Sequence, residues 1–284
     1  MVFNSVVFLF CFLPLALLLY YLVPGRLKNA VLLLESLLFY CWTGVTWLPL
    51  IAVLVGINYL AGLCMSKLRG SGRRAVLVLA VALTAAALVF FKYANFFIET
   101  LNQVAGLGWA TLSFLDILPL GISYYTFKLI SYVADVYSGK VEAERNPIDF
   151  SAYVVMYPQL IVGPIVRYRE MAPALHTIRG RCSLRQAEEV ILADSIGALW
   201  LDIIASDGIG LAQASTPLVW LGVVAYSLQL YFDFAGYSEM SNGLSKMMGF
   251  DCPANFNLPY MATSITDFWR RWHISLSLWF RDYV

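Results

Sequence analysis

The chain has 284 residues, 60 % hydrophobic and only 13 % charged, with a mean hydropathy of +0.72. Soluble domains lie nearer about 45–50 % apolar and about 25 % charged, so composition excludes an ordinary water-soluble enzyme and points to membrane-embedded helices. A net charge of +1 offers no general attraction for nucleic acid, and five scattered cysteines without a CxxC pair argue against a disulfide framework or thiolate metal site.

In chain order, the first apolar run covers 3–23. It has no basic leader or cleavage site, so it reads as a retained span and not a signal peptide. A basic turn, 24–29, precedes apolar runs at 30–42 and 45–65. The former is short for an upright crossing, which needs about 20 residues. Lys67, Arg69, Arg73 and Arg74 mark the loop 66–74. Then come a span at 75–97, a loop at 99–116 without Lys or Arg, a span at 117–137, and a loop at 138–149 with Lys140 and Arg145. Positive charge favours the cytoplasmic side. That rule puts 24–29, 66–74 and 138–149 inside and the N-terminus outside.

The segment 150–166 breaks the count. If it crossed, Arg167, Arg169, Arg179, Arg181 and Arg185 would lie outside. It is short and carries Pro158, Gly163 and Pro164, which interrupt helices. A re-entrant path is expected, dipping in and returning to the cytoplasmic side. Broken backbone at that depth must be covered by protein or line a cavity. Lys128, inside the preceding span, is expected to face a cavity or a carboxylate. Spans at 186–206, with Asp194 and Asp202 embedded, and 216–234 follow, leaving the tail from Ser238 cytoplasmic. No repeat divides the chain, so 1–284 reads as one all-α, polytopic membrane domain.

The tail differs from everything before it. Residues 263–284 hold three Trp, three Arg, two Asp and His273, one of only two histidines. Ser264 with Asp267 is a capping-box-like start, and one helix is expected from there to the end. On it His273 shares a face with Thr266, Trp269, Arg270, Ser277 and Phe280, with Arg271, Ser275 and Asp282 opposite. Polar groups on both faces suit a helix buried in protein beside a polar cavity. An interfacial helix with snorkelling arginines is the bland alternative.

The run 268–283 resembles a signature of the membrane-bound O-acyltransferase family. Supporting motifs stand upstream: Leu118-Pro119-Leu120-Gly121-Ile122-Ser123-Tyr124-Tyr125-Thr126-Phe127, Gly163-Pro164-Ile165-Val166-Arg167-Tyr168, and Tyr231-Phe232-Asp233-Phe234-Ala235-Gly236-Tyr237-Ser238. The likeness is greatest to the bacterial branch that acetylates alginate, with the D-alanyl transfer branch acting on teichoic acid also near. It implies a ring of transmembrane helices, with re-entrant and interfacial helices, around a polar funnel whose floor carries His273. It implies a bacterial inner-membrane enzyme that passes acetyl groups from a cytoplasmic donor, such as an acyl thioester or its carrier, toward exopolysaccharide hydroxyls. Membrane lipid surrounds it and periplasmic polysaccharide-acetylation proteins complete the transfer. No metal or organic cofactor is implied. The family continues through further spans with a second histidine, so the chain is expected to be a piece of a longer protein.

Residue chemistry fits this outline. Imidazole is the side chain that titrates near neutrality, so His273 is the candidate base for a hydroxyl attacking an acyl carbonyl. A buried His orienting the helix is the alternative. Ser277, one turn on, offers a Ser–His nucleophile pair, although such i,i+4 polar pairs are common. Arg270, Arg271 and Arg281 are candidates to hold donor phosphate or carboxylate, or lipid headgroups. Asp233 is expected to pair with a C-terminal arginine or touch substrate. Asn255, Asn257 and Tyr260, in Pro-bounded backbone, orient an acyl carbonyl or satisfy the loop. Tyr237 lines a sugar or acyl path. His176 reads as a surface-loop histidine. A transporter or flippase is the reading from another class, since embedded Asp194, Asp202, Asp233 and Lys128 suit it too.

Overall fold

The computed structural model describes residues 5–106, 108–115, 118–161, 163–176 and 216–284. Among them every regular element is helical. A π-helical turn, Phe8–Phe12, runs into α1 (Leu13–Leu22). Then come α2 (Lys28–Gly44), α3 (Leu48–Lys67), α4 (Ser71–Ala105), α5 (Ile122–Ser138), α6 (Pro147–Val155), α7 (Tyr168–His176), α8 (Thr216–Met247), α9 (Ile265–Arg271) and α10 (Ile274–Tyr283).

Among the described residues two stretches are long and apolar enough to cross a membrane, Val45–Lys67 with 23 residues and Ser71–Ala105 with 35. Leu15, Leu18, Val53, Leu60, Val78, Leu79 and Phe90 point outward. Water would penalise such a row of exposed apolar side chains, whereas hydrocarbon does not. The chain is therefore an α-helical membrane protein.

α4 outruns the expected 75–97 at both ends. Its C-terminal extension is held by two amides that pair with returning backbone. Asn95 bonds both the N–H and the carbonyl of Leu112, at 2.9 and 3.1 Å, and Asn102 does the same for Trp109, at 2.8 and 2.7 Å. Part of the expected loop 99–116 is thus helix.

α5 is the central post, packed against α3 and α4, while α6 packs on α2. Contact with α3 is close because position 62 is Gly: a Cβ there would sit 2.6 Å from the Tyr132 hydroxyl oxygen. Lys128 on α5, expected to face a cavity or a carboxylate, is buried against neutral acceptors. Nζ donates to the Tyr153 carbonyl (3.0 Å) and to Gln159 Oε1 (2.8 Å). Lys128 is thus kept from lipid, as expected, with carbonyl dipoles solvating the ammonium.

The segment 150–166 is broken and doubles back on itself, the shape that a re-entrant path needs. α6 has only nine residues and ends at Met156, followed by a 3₁₀ turn, Tyr157–Gln159, and irregular backbone. Tyr153, Met156, Tyr157, Gln159, Leu160 and Val166 are all buried, so protein covers the break. The path leaves and returns at one end. Glu144 accepts a short hydrogen bond from Tyr168 and lies 3.0 Å from His176 Nε2, while Asn29 Nδ2 donates both to Asp149 Oδ1 (2.7 Å) and to the Leu175 carbonyl (2.9 Å).

Two glycines make the return possible. Gly121 has φ +69°, and a Cβ on it would lie 2.2 Å from the Leu160 carbonyl oxygen. A Cβ on Gly163 would lie 2.4 Å from Ser241 Oγ on α8. The expected span 186–206, with Asp194 and Asp202, lies outside the described residues, as do Arg179, Arg181, Arg185 and Cys182.

Candidate functional site

The C-terminal helix starts where expected. Ser264 is the N-cap of α9, its Oγ accepting from the Asp267 amide at 3.1 Å. It does not run to the end. Trp272 is extended and His273 has φ 44°, ψ 55°, the left-handed region that side chains avoid; α10 begins at Ile274. The single helix of the sequence reading is therefore two short ones, and its face assignments fall with it. Neither piece is long enough to cross a bilayer.

The loop 252–260 causes the break. The Asn257 N–H donates to the Arg271 carbonyl (2.9 Å) and the Ile274 N–H to the Asn255 carbonyl (2.9 Å), so a strand-like pairing replaces helical bonds at 271–274. Asn255, fully buried, then takes three donors on Oδ1: the Ser275 N–H (3.2 Å), the Ser275 hydroxyl (2.8 Å) and His273 Nδ1 (3.0 Å). The Ile165 N–H donates to Ser275 Oγ (3.0 Å), so the end of the re-entrant segment is tied to the same cluster.

This arrangement determines the imidazole tautomer. A backbone N–H can only donate, so the Asn255 atom facing Ser275 is its carbonyl oxygen. That oxygen can only accept, so Nδ1 of His273 carries the proton. Nε2 is left with its lone pair. Burial pushes His273 down to about 4, so the ring is neutral at pH 7. The Phe234 ring packs edge-on against it, 4.8 Å between centroids. Trp272 packs with Phe256 and Phe268 beside it, at 5.2 and 5.6 Å.

The other predicted residues are placed unevenly. Asn255 is brought to His273. Asn257 is exposed and contributes backbone. Arg271 Nε bonds both oxygens of Asp267 at 3.0 Å on its own helix, and Arg270 is exposed. Asp233 and Tyr237 lie one turn apart on α8, both half-buried. Ser277 donates to the Trp269 carbonyl (3.1 Å) rather than to His273, which removes the basis for a Ser–His pair. Tyr260 donates to the Ser227 carbonyl (2.5 Å). Arg281 contacts Asp282.

Ser275, which sequence reasoning put on the face away from His273, lies 3.5 Å from its Nδ1. Its spacing of two from the histidine was the available signal, masked by the assumption of continuous helix. The buried oxygens of Ser238, Ser241 and Asn242 on α8, and Nδ2 of Asn255, have no protein partner, so a polar stripe adjoins the apolar packing here. Asp282, also assigned to a far face, is a strong anchor: Arg167, 5 % exposed, bonds it at 2.5 Å and Arg169 at 3.4 Å. Tyr283 donates to buried Asp135 at 2.8 Å, and Trp279 Nε1 to the Phe127 carbonyl at 3.0 Å. These contacts clamp α10 onto α5.

The family model for the membrane-bound O-acyltransferase family matches residues 209–284. Over its full length the chain is 44 % identical to the probable alginate O-acetylase AlgI of Azotobacter vinelandii and to that of Pseudomonas aeruginosa, spanning 59 % and 56 % of those proteins. It is 32 % identical over its full length to the peptidoglycan O-acetyltransferase of Helicobacter pylori, of which it spans 61 %. The chain thus covers a little over half the length of these curated relatives.

Proposed function

The chain belongs to the membrane-bound O-acyltransferase family, and from that premise we propose that it serves O-acyl transfer, moving acetyl groups to hydroxyls of an exopolysaccharide such as alginate. The observation that carries the chemical part is the Asn255 oxygen on His273 Nδ1, which leaves Nε2 as an acceptor. In this reading Nε2 takes the proton of an attacking hydroxyl as its oxygen bonds to the acyl carbonyl carbon. The carbon–sulfur bond of a thioester donor then breaks, and the proton passes from His273 to the leaving sulfur. Asn255 and Ser275 hold the ring in place through both steps. The donor enters as co-substrate from the cytoplasmic side.

The topology that accompanies this reading is a multi-pass protein of the bacterial inner membrane with its N-terminus outside. Periplasmic polysaccharide-acetylation proteins are the partners that finish the transfer. Support comes from the activities named for the relatives and from the charge of the loops, with Lys67, Arg69, Arg73 and Arg74 in one of them.

The test is acetyl incorporation into polymer by cells carrying the full-length protein, with His273→Gln against the parent. A loss of roughly 10²- to 10⁴-fold is expected for removal of a general base. Unchanged acetylation at equal protein level would refute the assignment of His273, and continued flux of acyl groups without transfer would favour the transporter.

A further inference from the structure

A second polar cluster lies away from His273, where the re-entrant segment begins and ends. Glu144, Asp149 and His176 come from two chain segments, yet one ligating atom from each lies within 4.8 Å of the others. A cation held at about 2.0–2.6 Å from each ligand at right or tetrahedral angles would have those atoms about 3–4 Å apart, so a small approach of the side chains closes the set around an ion. Glu144 and His176 also line a cavity of about 520 Å³, which supplies a route in.

We propose that Glu144, Asp149 and His176 form a divalent transition-metal site that pins the loop 138–149 to the C-terminal end of α7. Two hard carboxylates with one borderline imidazole make a mixed set, and the nitrogen ligand favours Zn²⁺ or Mn²⁺ over Ca²⁺. Both carboxylates are already oriented by outer donors. Asn29 Nδ2 and Asn146 Nδ2 hold the two oxygens of Asp149, at 2.7 and 2.8 Å, and the Asn146 N–H and the Tyr168 hydroxyl hold those of Glu144. Each carboxylate oxygen keeps a further lone pair for a cation.

An independent observation comes from Asn29. It is 7 % exposed, bonded to the cluster through Nδ2, and its Oδ1 is buried without a protein partner. The two hydrogen bonds that Nδ2 donates, to Asp149 and to the Leu175 carbonyl, fix its amide orientation, so an uncompensated acceptor remains on the residue that holds Asp149. Two of the three lysine and arginine side chains on the same cavity, Arg145 being the third, lie against anions. Lys140 lies 3.8 Å from Asp135, and Arg169 lies against Glu170 and Asp282. His176 Nε2 now faces Glu144 Oε2 at 3.0 Å; on binding it would exchange that contact for the metal.

The test is equilibrium dialysis of the chelator-stripped protein in detergent against Zn²⁺ and against Mn²⁺. About one equivalent is expected, with affinity at least 10-fold weaker in His176→Ala and in Asp149→Asn. His176 has a side chain 53 % exposed, so its replacement leaves the fold intact. Thermal unfolding of parent and variant without metal checks this, and added metal should raise Tm in the parent alone. Equal binding by parent and both variants, no binding by a folded parent, or Ca²⁺ binding indifferent to His176→Ala would each overturn the site. None of these readouts depends on acyl transfer.

Discussion

Oδ1 of Asn255, on a fully buried residue, accepts three hydrogen bonds. Asn255→Ala leaves the His273 N–H, the Ser275 N–H and the Ser275 hydroxyl buried and unmatched. At about 1–3 kcal/mol for each unsatisfied donor, a loss of at least about 3 kcal/mol is expected in denaturant unfolding. Asn255→Asp keeps the acceptor and should lose less. His273 itself makes stability depend on pH. Its folded value, about 4, lies below its ordinary 6.5, so the unfolded chain binds the proton more readily between those values. Stability is therefore full above about pH 6.5 and falls as pH drops toward 4, by up to about 3 kcal/mol. Unfolding curves at pH 7 and 4.5 should show the drop in the parent and a reduced one in His273→Gln.

At the scale of elements, the missing Cβ at two glycines is what lets the doubled-back segment fit. Gly121→Ala combines an avoided backbone conformation with a contact to main chain at Leu160, which cannot rotate away, and should destabilise by at least about 2 kcal/mol. Gly163→Ala meets only a side chain, so Ser241→Gly beside it should restore most of the lost Tm. The clamp of α10 makes a separate prediction. Asp282→Asn leaves Arg167 buried with a weaker partner and should cost about 2–4 kcal/mol, whereas replacing both by apolar residues of similar size should cost less. A double-mutant cycle on unfolding free energy measures the difference. The start of α9 was legible from Ser264 and Asp267 because a cap is local. The break at His273 was not, because the groups that stabilise it, the backbone and side chain of Asn255, lie 18 residues earlier.

For the whole molecule, the re-entrant path places 138–149 and 168–176 together. In a background with the native cysteines replaced, Glu142→Cys and His176→Cys should label from the same face of sealed vesicles, and Gly108→Cys from the other. Labelling of the first two from opposite faces would refute the path.

Composition and local pattern by themselves determined an all-helical membrane chain, the limits of most apolar runs, the interruption after residue 150 and the chemical oddity of the tail. These follow from short-range rules: apolar length, proline and glycine, charge at the ends, a hydroxyl at a cap. Tertiary structure alone decided which partner each polar group found. Lys128 took carbonyls, Ser275 came to His273, and Asp282 came to Arg167 across the fold. A buried donor or acceptor must be matched, but the amino-acid order does not say by which of several distant groups. That choice is made when helices pack and only one pairing satisfies them together.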